Sequence, residues 1–123
     1  MGVNIQQFGK AAVDAGKARG GNILGNQAIA QNWWSALVQW IDPAEAKVSQ
    51  NALVQMRDSI KATATARNQY LPYVFANDGA YFQDVMASYG AKNLAKMKDV
   101  SMRYDPAQVF QTLQNGGWLV HNS

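Results

Sequence analysis

The chain has 123 residues, 48% of them hydrophobic and 15% charged, with a formal net charge of +3. That length fits one domain with a real core, and it is equally compatible with a piece of something larger. With no cysteine and a single histidine, His121, the chain excludes disulfides, thiolate metal sites, cysteine nucleophiles and a Ser-His triad.

No block of like charges marks a nucleic-acid arm or an acidic tail. No stretch approaches the roughly 18 apolar residues of a membrane span. Neither nucleic acid nor membrane is therefore expected as a partner. The opening "MGVNIQQFGKAAVDAGKARGG" has no continuous apolar run, so no secretory signal is read, and the compartment stays open.

In chain order, residues 1–20 read as a weakly structured segment, with a weak helix around "FGKAAVDAGKA" interrupted by Gly9 and Gly16. Residues 20–27, "GGNILGNQ", form a loop. They lack the GxGxxG and GxxxxGK spacings of phosphate loops. Residues 32–41, "NWWSALVQWI", read as a strand. Trp34, Ala36, Val38 and Trp40 make a wholly apolar face, and Trp33, Ser35, Leu37, Gln39 and Ile41 a mixed one.

A helix is expected at about 43–66, where Asp42, Pro43 and Glu45 match an Asp-x-x-Glu capping box with proline at the first position. Its apolar stripe is Val48, Ala52, Leu53, Met56, Ile60 and Ala64. "YLPYVFANDG" is an edge strand or extended segment, because Pro72 excludes a central strand. "AYFQDVMASYG" reads as a short helix ended by Gly90, and "AKNLAKMKDVSMRY" as a longer one stopped by Asp105–Pro106. "AQVFQTLQ" is a helical turn closed by Gly116–Gly117, and residues 121–123 are a tail.

One good strand and one doubtful strand, separated by a long helix, make an incomplete sheet. Unpaired strand edges are costly to bury, and two strands are marginal by themselves. The pattern reads as a piece of a fold, or as a chain that docks on something.

Four stretches carry a resemblance. "ARGGNILG" is followed by "WWSALVQW", then "YVFANDGAYFQDVMASYG", then "KNLAKMKDVSMRYDPAQVFQTLQNGGW". In this order, over about residues 17–120, they resemble the C-terminal part of fungal FAD-linked oxidoreductases of the berberine-bridge-enzyme type, within the vanillyl-alcohol-oxidase superfamily. Tyr89–Gly90, Tyr104–Asp105–Pro106, Val109–Phe110–Gln111 and Gly116–Gly117–Trp118 match the family's closing motifs.

The resemblance implies an α+β fold: a partial substrate domain, with one or two antiparallel strands backed by about three to four helices. Residues 21–120 would form this region, and the flavin domain would lie outside the chain. The resemblance implies FAD as cofactor only if the chain is joined to such a domain. It places Asn77 and Tyr73 at the cofactor and Phe75 near flavin and substrate. Where the family carries a tyrosine for proton handling, Phe75 has no hydroxyl and cannot transfer a proton. Trp33 and Trp40 read first as sheet core and second as substrate-lining residues for a small hydrophobic metabolite.

Three functions follow. The first is the substrate-domain portion of an FAD-linked oxidoreductase of fungal secondary metabolism, incomplete as a catalyst alone. The second is a stand-alone, non-catalytic interaction protein that pairs with a flavin domain or a full-length relative through its open strand edge. The third is a small cofactor-free catalyst acting on a hydrophobic metabolite.

Overall fold

A computed structural model describes all 123 residues. The elements run β1 (Gly2–Phe8), α1 (Lys10–Ala18), β2 (Gln31–Leu37), α2 (Ala46–Ala66), α3 (Val85–Ser88), α4 (Ala91–Tyr104) and α5 (Val109–Thr112). Single 3-10 turns lie at Pro43–Glu45, Ala76–Asp78 and Val120–Asn122. The arrangement is α+β, and its one sheet is a two-stranded antiparallel ribbon. The chain divides into two units: Met1–Phe8 with Ala30–Leu71, and Gly9–Ile29 with Pro72–Ser123.

The first unit holds the ribbon and α2. β1 supplies the missing strand partner, in a stretch whose local pattern predicts only a weak helix. Its polar tract "NIQQ" hides the strand, since only Val3 and Ile5 mark an alternating face. The register pairs Val3 with Ala36, Ile5 with Trp34 and Gln6 with Trp33. Paired residues point to the same side of a ribbon. One side therefore carries Val3, Ile5, Trp34 and Ala36, and the other Phe8, Gln31, Trp33 and Ser35.

The covered side is the mixed one, contrary to the expectation from apolar content. Phe8 and Trp33 stack with ring centroids 4.5 Å apart. The Trp33 indole N–H donates to Gln31 Oε1 at 3.1 Å, and Gln31 is buried. The side with Trp34, which also carries Gln7 and Asn32, stays open, with Ile5 68% and Trp34 37% exposed, and Leu37 at the end of the other side is 62% exposed. The strand also ends at Leu37, four residues before the expected limit, and leaves Trp40 outside it.

Asp42 caps the start as the sequence predicts, but α2 itself begins at Ala46, and Glu45 makes no side-chain cap bond. Asp42 Oδ1 accepts the Ala44 N–H at 2.9 Å, and Pro43 opens a 3-10 turn that runs into the helix. Asn68 ends it in a left-handed conformation, with the Gln69 N–H donating to the Ala64 carbonyl at 2.8 Å.

The second unit is built around α3 and α4. The segment from Pro72 to Gly79 is extended and then turns once, forming no strand. Pro72 accounts for this in part, and the Val74 N–H finds the Ser88 hydroxyl at 3.1 Å in place of a ladder partner. Asp84 caps α3 by accepting the Ala87 N–H at 3.0 Å. Asp105 joins α4 to α5: one carboxylate oxygen accepts the Val109 N–H at 2.8 Å and the other the Phe110 N–H at 2.9 Å. The last three residues are no loose tail. Val120–Asn122 form a turn, and the His121 N–H donates to Gln111 Oε1 at 3.3 Å.

The interior is small. Val13, Val85 and Tyr89 are the buried hydrophobic residues, against eighteen large hydrophobic side chains that are exposed. The accessible surface is 8969 Å² at 13.5 kDa. A folded monomer of that mass exposes about 6,500 Å², and two separately folded units about 7,800 Å².

Two predictions follow from the backbone contacts. Gly25 has φ +73°, and a Cβ there would lie 2.4 Å from the Tyr89 carbonyl oxygen. Gly25→Ala is expected to speed amide exchange across residues 84–94 by about five- to thirtyfold, from the left-handed penalty alone. Exchange in 46–66 should be unchanged. Asp105→Ala removes two charge-assisted bonds and should cost α5 about 1–3 kcal/mol, read as loss of exchange protection at Val109 and Phe110. Asp105→Asn should keep part of it.

Candidate functional site

The segment Tyr73–Gly79 carries three of the residues singled out from the sequence, and the second unit holds it at both ends. At its start, Tyr73 is half-buried and stacks on Tyr89 with centroids 5.6 Å apart and planes 21° apart. Burial pushes the Tyr73 phenol above its ordinary value, and the Tyr89 phenol beside it acts in the same direction. The Asn26 side-chain amide beside it offsets part of that rise. Tyr73 therefore stays a neutral phenol at neutral pH.

The middle is held from α3. Ser88 Oγ accepts the Val74 N–H and donates to the Val85 carbonyl at 2.6 Å, so one hydroxyl ties the extended segment to the short helix. Loop 20–27 closes over the same place, where the absence of a side chain on Gly25 lets its backbone approach Tyr89. Asn93 Nδ2 donates to the Tyr89 carbonyl at 2.9 Å.

The far end is pinned by Trp118. Its indole N–H donates to the Ala76 carbonyl at 2.9 Å. Its ring covers Gly79 so closely that a Cβ there would sit 2.8 Å from Cζ2, and 2.7 Å from Val85 Cγ2 on the other side. Only a residue without a side chain fits between those walls. Asn77 sits at the centre of the pinned turn and is exposed, while Phe75 just before it is half-buried. The geometry thus presents the Asn77 amide outward on a braced backbone and keeps Tyr73 turned inward.

Trp33 and Trp40 belong to the first unit. Trp33 is engaged with Phe8 and Gln31, and Trp40 is 38% exposed beyond the end of β2. Asn26, Ser88, Tyr89 and Trp118 are the supporting residues that sequence reasoning assigned no role. For Tyr89 and Trp118 a signal existed, since both fall in the closing motifs, but motif matching does not say what a side chain holds. For Asn26 and Ser88 no pattern in one sequence marks the partner.

The same unit holds an apolar cleft of about 470 Å³ between α4, α5 and the C-terminal turn. Ile23, Met97, Val100, Tyr104, Phe110 and Val120 line it, with Lys96, Ser101, Asp105 and Gln111 at its polar parts. No cluster of His, Asp or Glu in the chain is arranged to hold a metal ion. No helix is long and apolar enough to cross a membrane.

This chain is similar to a set of fungal enzymes, most of them named FAD-dependent monooxygenases. It is 40% identical over 114 residues to an FAD-dependent monooxygenase of Arthrobotrys oligospora, covering 93% of this chain and 22% of that protein. It is 36% identical over 109 residues to an FAD-dependent monooxygenase of Aspergillus niger, covering 88% of this chain and 19% of that protein. It is 32% identical over 117 residues to the bifunctional solanapyrone synthase of Alternaria solani, covering 92% and 22%. No family model matches the chain, and no solved structure does. The chain spans about a fifth of the length of the curated relatives it matches, and along nearly all of its own length it is similar to fungal FAD-dependent monooxygenases.

Proposed function

We propose that this chain is the C-terminal substrate-domain portion of an FAD-linked oxidoreductase of the berberine-bridge type, acting in fungal secondary metabolism. The carrying observation is the 40% identity over 93% of the chain to a fungal FAD-dependent monooxygenase. The resemblance in the closing motifs supports the berberine-bridge assignment, and the small interior supports a segment that is completed by other parts of a larger protein.

The residues fit one edge of a flavin site. The exposed Asn77 amide offers a donor and an acceptor on a turn that Trp118 holds still. Loop 20–27 lacks the spacing of a pyrophosphate loop. In this reading FAD would be held mainly by the rest of the enzyme, and the chemistry it would supply is hydride acceptance from substrate. This chain's residues position groups around it. Asn77 bonds the cofactor. Tyr73 supports that turn from below as a neutral phenol. Phe75 excludes water beside the reacting centre and moves no proton.

The test replaces the matching segment of the Arthrobotrys oligospora monooxygenase with residues 1–123. The chimaera should retain FAD through gel filtration and show flavin reduction with that enzyme's substrate. Asn77→Ala in the chimaera should weaken FAD retention roughly three- to tenfold, the range for one lost hydrogen bond. A well-folded chimaera that loses FAD entirely would overturn the reading and favour a non-catalytic interaction protein.

A further inference from the structure

We infer that the cleft between α4 and α5 is an internal docking groove, filled by an apolar segment of the flavin-bearing portion of the same enzyme. The inference rests on the function proposed above and adds the surface through which this portion is joined to the rest.

Three observations carry it. First, the walls are open. Tyr104 is 75%, Phe110 70% and Val100 47% exposed around a cleft of about 470 Å³. The volume suits a small molecule, but sites for such ligands bury most of the ligand's surface, and these walls would leave it in water. A protein segment would cover the cleft and its neighbours together. Those neighbours are apolar too: Val109 is 44% and Leu113 79% exposed on the same short helix.

Second, the groove is braced without any occupant. Asp105 holds the start of α5 through two backbone N–H groups, and Gln111 Oε1 receives the His121 N–H. A prearranged apolar groove loses little entropy on being filled. Lys96 and Asp105 are the only charged residues in a lining that is mostly apolar, as at the centre of a permanent interface.

Third, the occupant has a source. About four-fifths of each relative's chain lies outside the part matched here. Large exposed apolar patches are rare on monomers, and an obligate interface resembles a core cut in half.

The experiment is hydroxyl-radical footprinting of Tyr104 and Phe110, in the 123-residue chain and in the chimaera described above. Oxidation at both residues should be high in the chain alone at every concentration and should fall several-fold in the chimaera. Phe110→Asp should lower the melting temperature of the chimaera and leave the isolated chain's secondary structure unchanged, because the side chain is exposed there. A chimaera that holds FAD while Tyr104 and Phe110 stay fully reactive would overturn the docking and leave the functional reading standing. Protection in the isolated chain that grows with concentration would overturn it in favour of a second copy. A chimaera that folds without FAD would remove the functional reading and the docking inference with it.

Discussion

Three buried hydrophobic side chains, Val13, Val85 and Tyr89, carry the interior of this chain, and the rest of the structure is shaped by that shortage. Burial of apolar surface is the dominant favourable term in folding, and ordering each residue costs of order 1–2 kcal/mol. Where burial is scarce, local hydrogen bonds decide the backbone. Asp42, Asp84 and Asp105 each cap a turn or helix, Ser88 captures the Val74 N–H, and Trp118 reaches across to Ala76. These bonds give definite geometry at Asn77 and at the α4–α5 cleft, while large apolar surfaces beside them stay uncovered.

Much of the helical framework was legible because its signals are local. Asp42–Pro43, Asp105–Pro106 and the stripe through 91–104 each specify an element by themselves. β1 was not legible. A strand with two apolar residues and a polar tract is defined by its partner, and Ile5 opposite Trp34 becomes meaningful only when the register is known. The same reason inverted the faces of β2. Apolar content favoured Trp34 and Trp40 as the core side, yet stacking of Phe8 on Trp33 selected the other. If the open side is covered in a larger protein, the sequence records a burial that this chain does not make by itself.

The site was legible in part for a related reason. The family resemblance singled out Tyr73, Phe75 and Asn77 by position, and they lie on one braced segment of the second unit. Their support was not readable. Asn26 beside Tyr73, and Trp118 over Gly79 some forty residues away, are long-range contacts with no spacing rule. Trp33 and Trp40 were grouped with that segment by chemistry, as aromatics suited to a hydrophobic metabolite, whereas the chain places them in the first unit.

Under the proposed function, the remainder of a flavoenzyme covers this surface. Scanning calorimetry of the purified 123-residue chain tests it most directly. Complete small domains unfold with about 0.7 kcal/mol of enthalpy per residue near 60 °C. The account predicts a broad transition with an enthalpy well below that value, because so little apolar surface is removed from water. A sharp two-state transition carrying the full enthalpy would mean that the chain completes its own core, and would contradict the account.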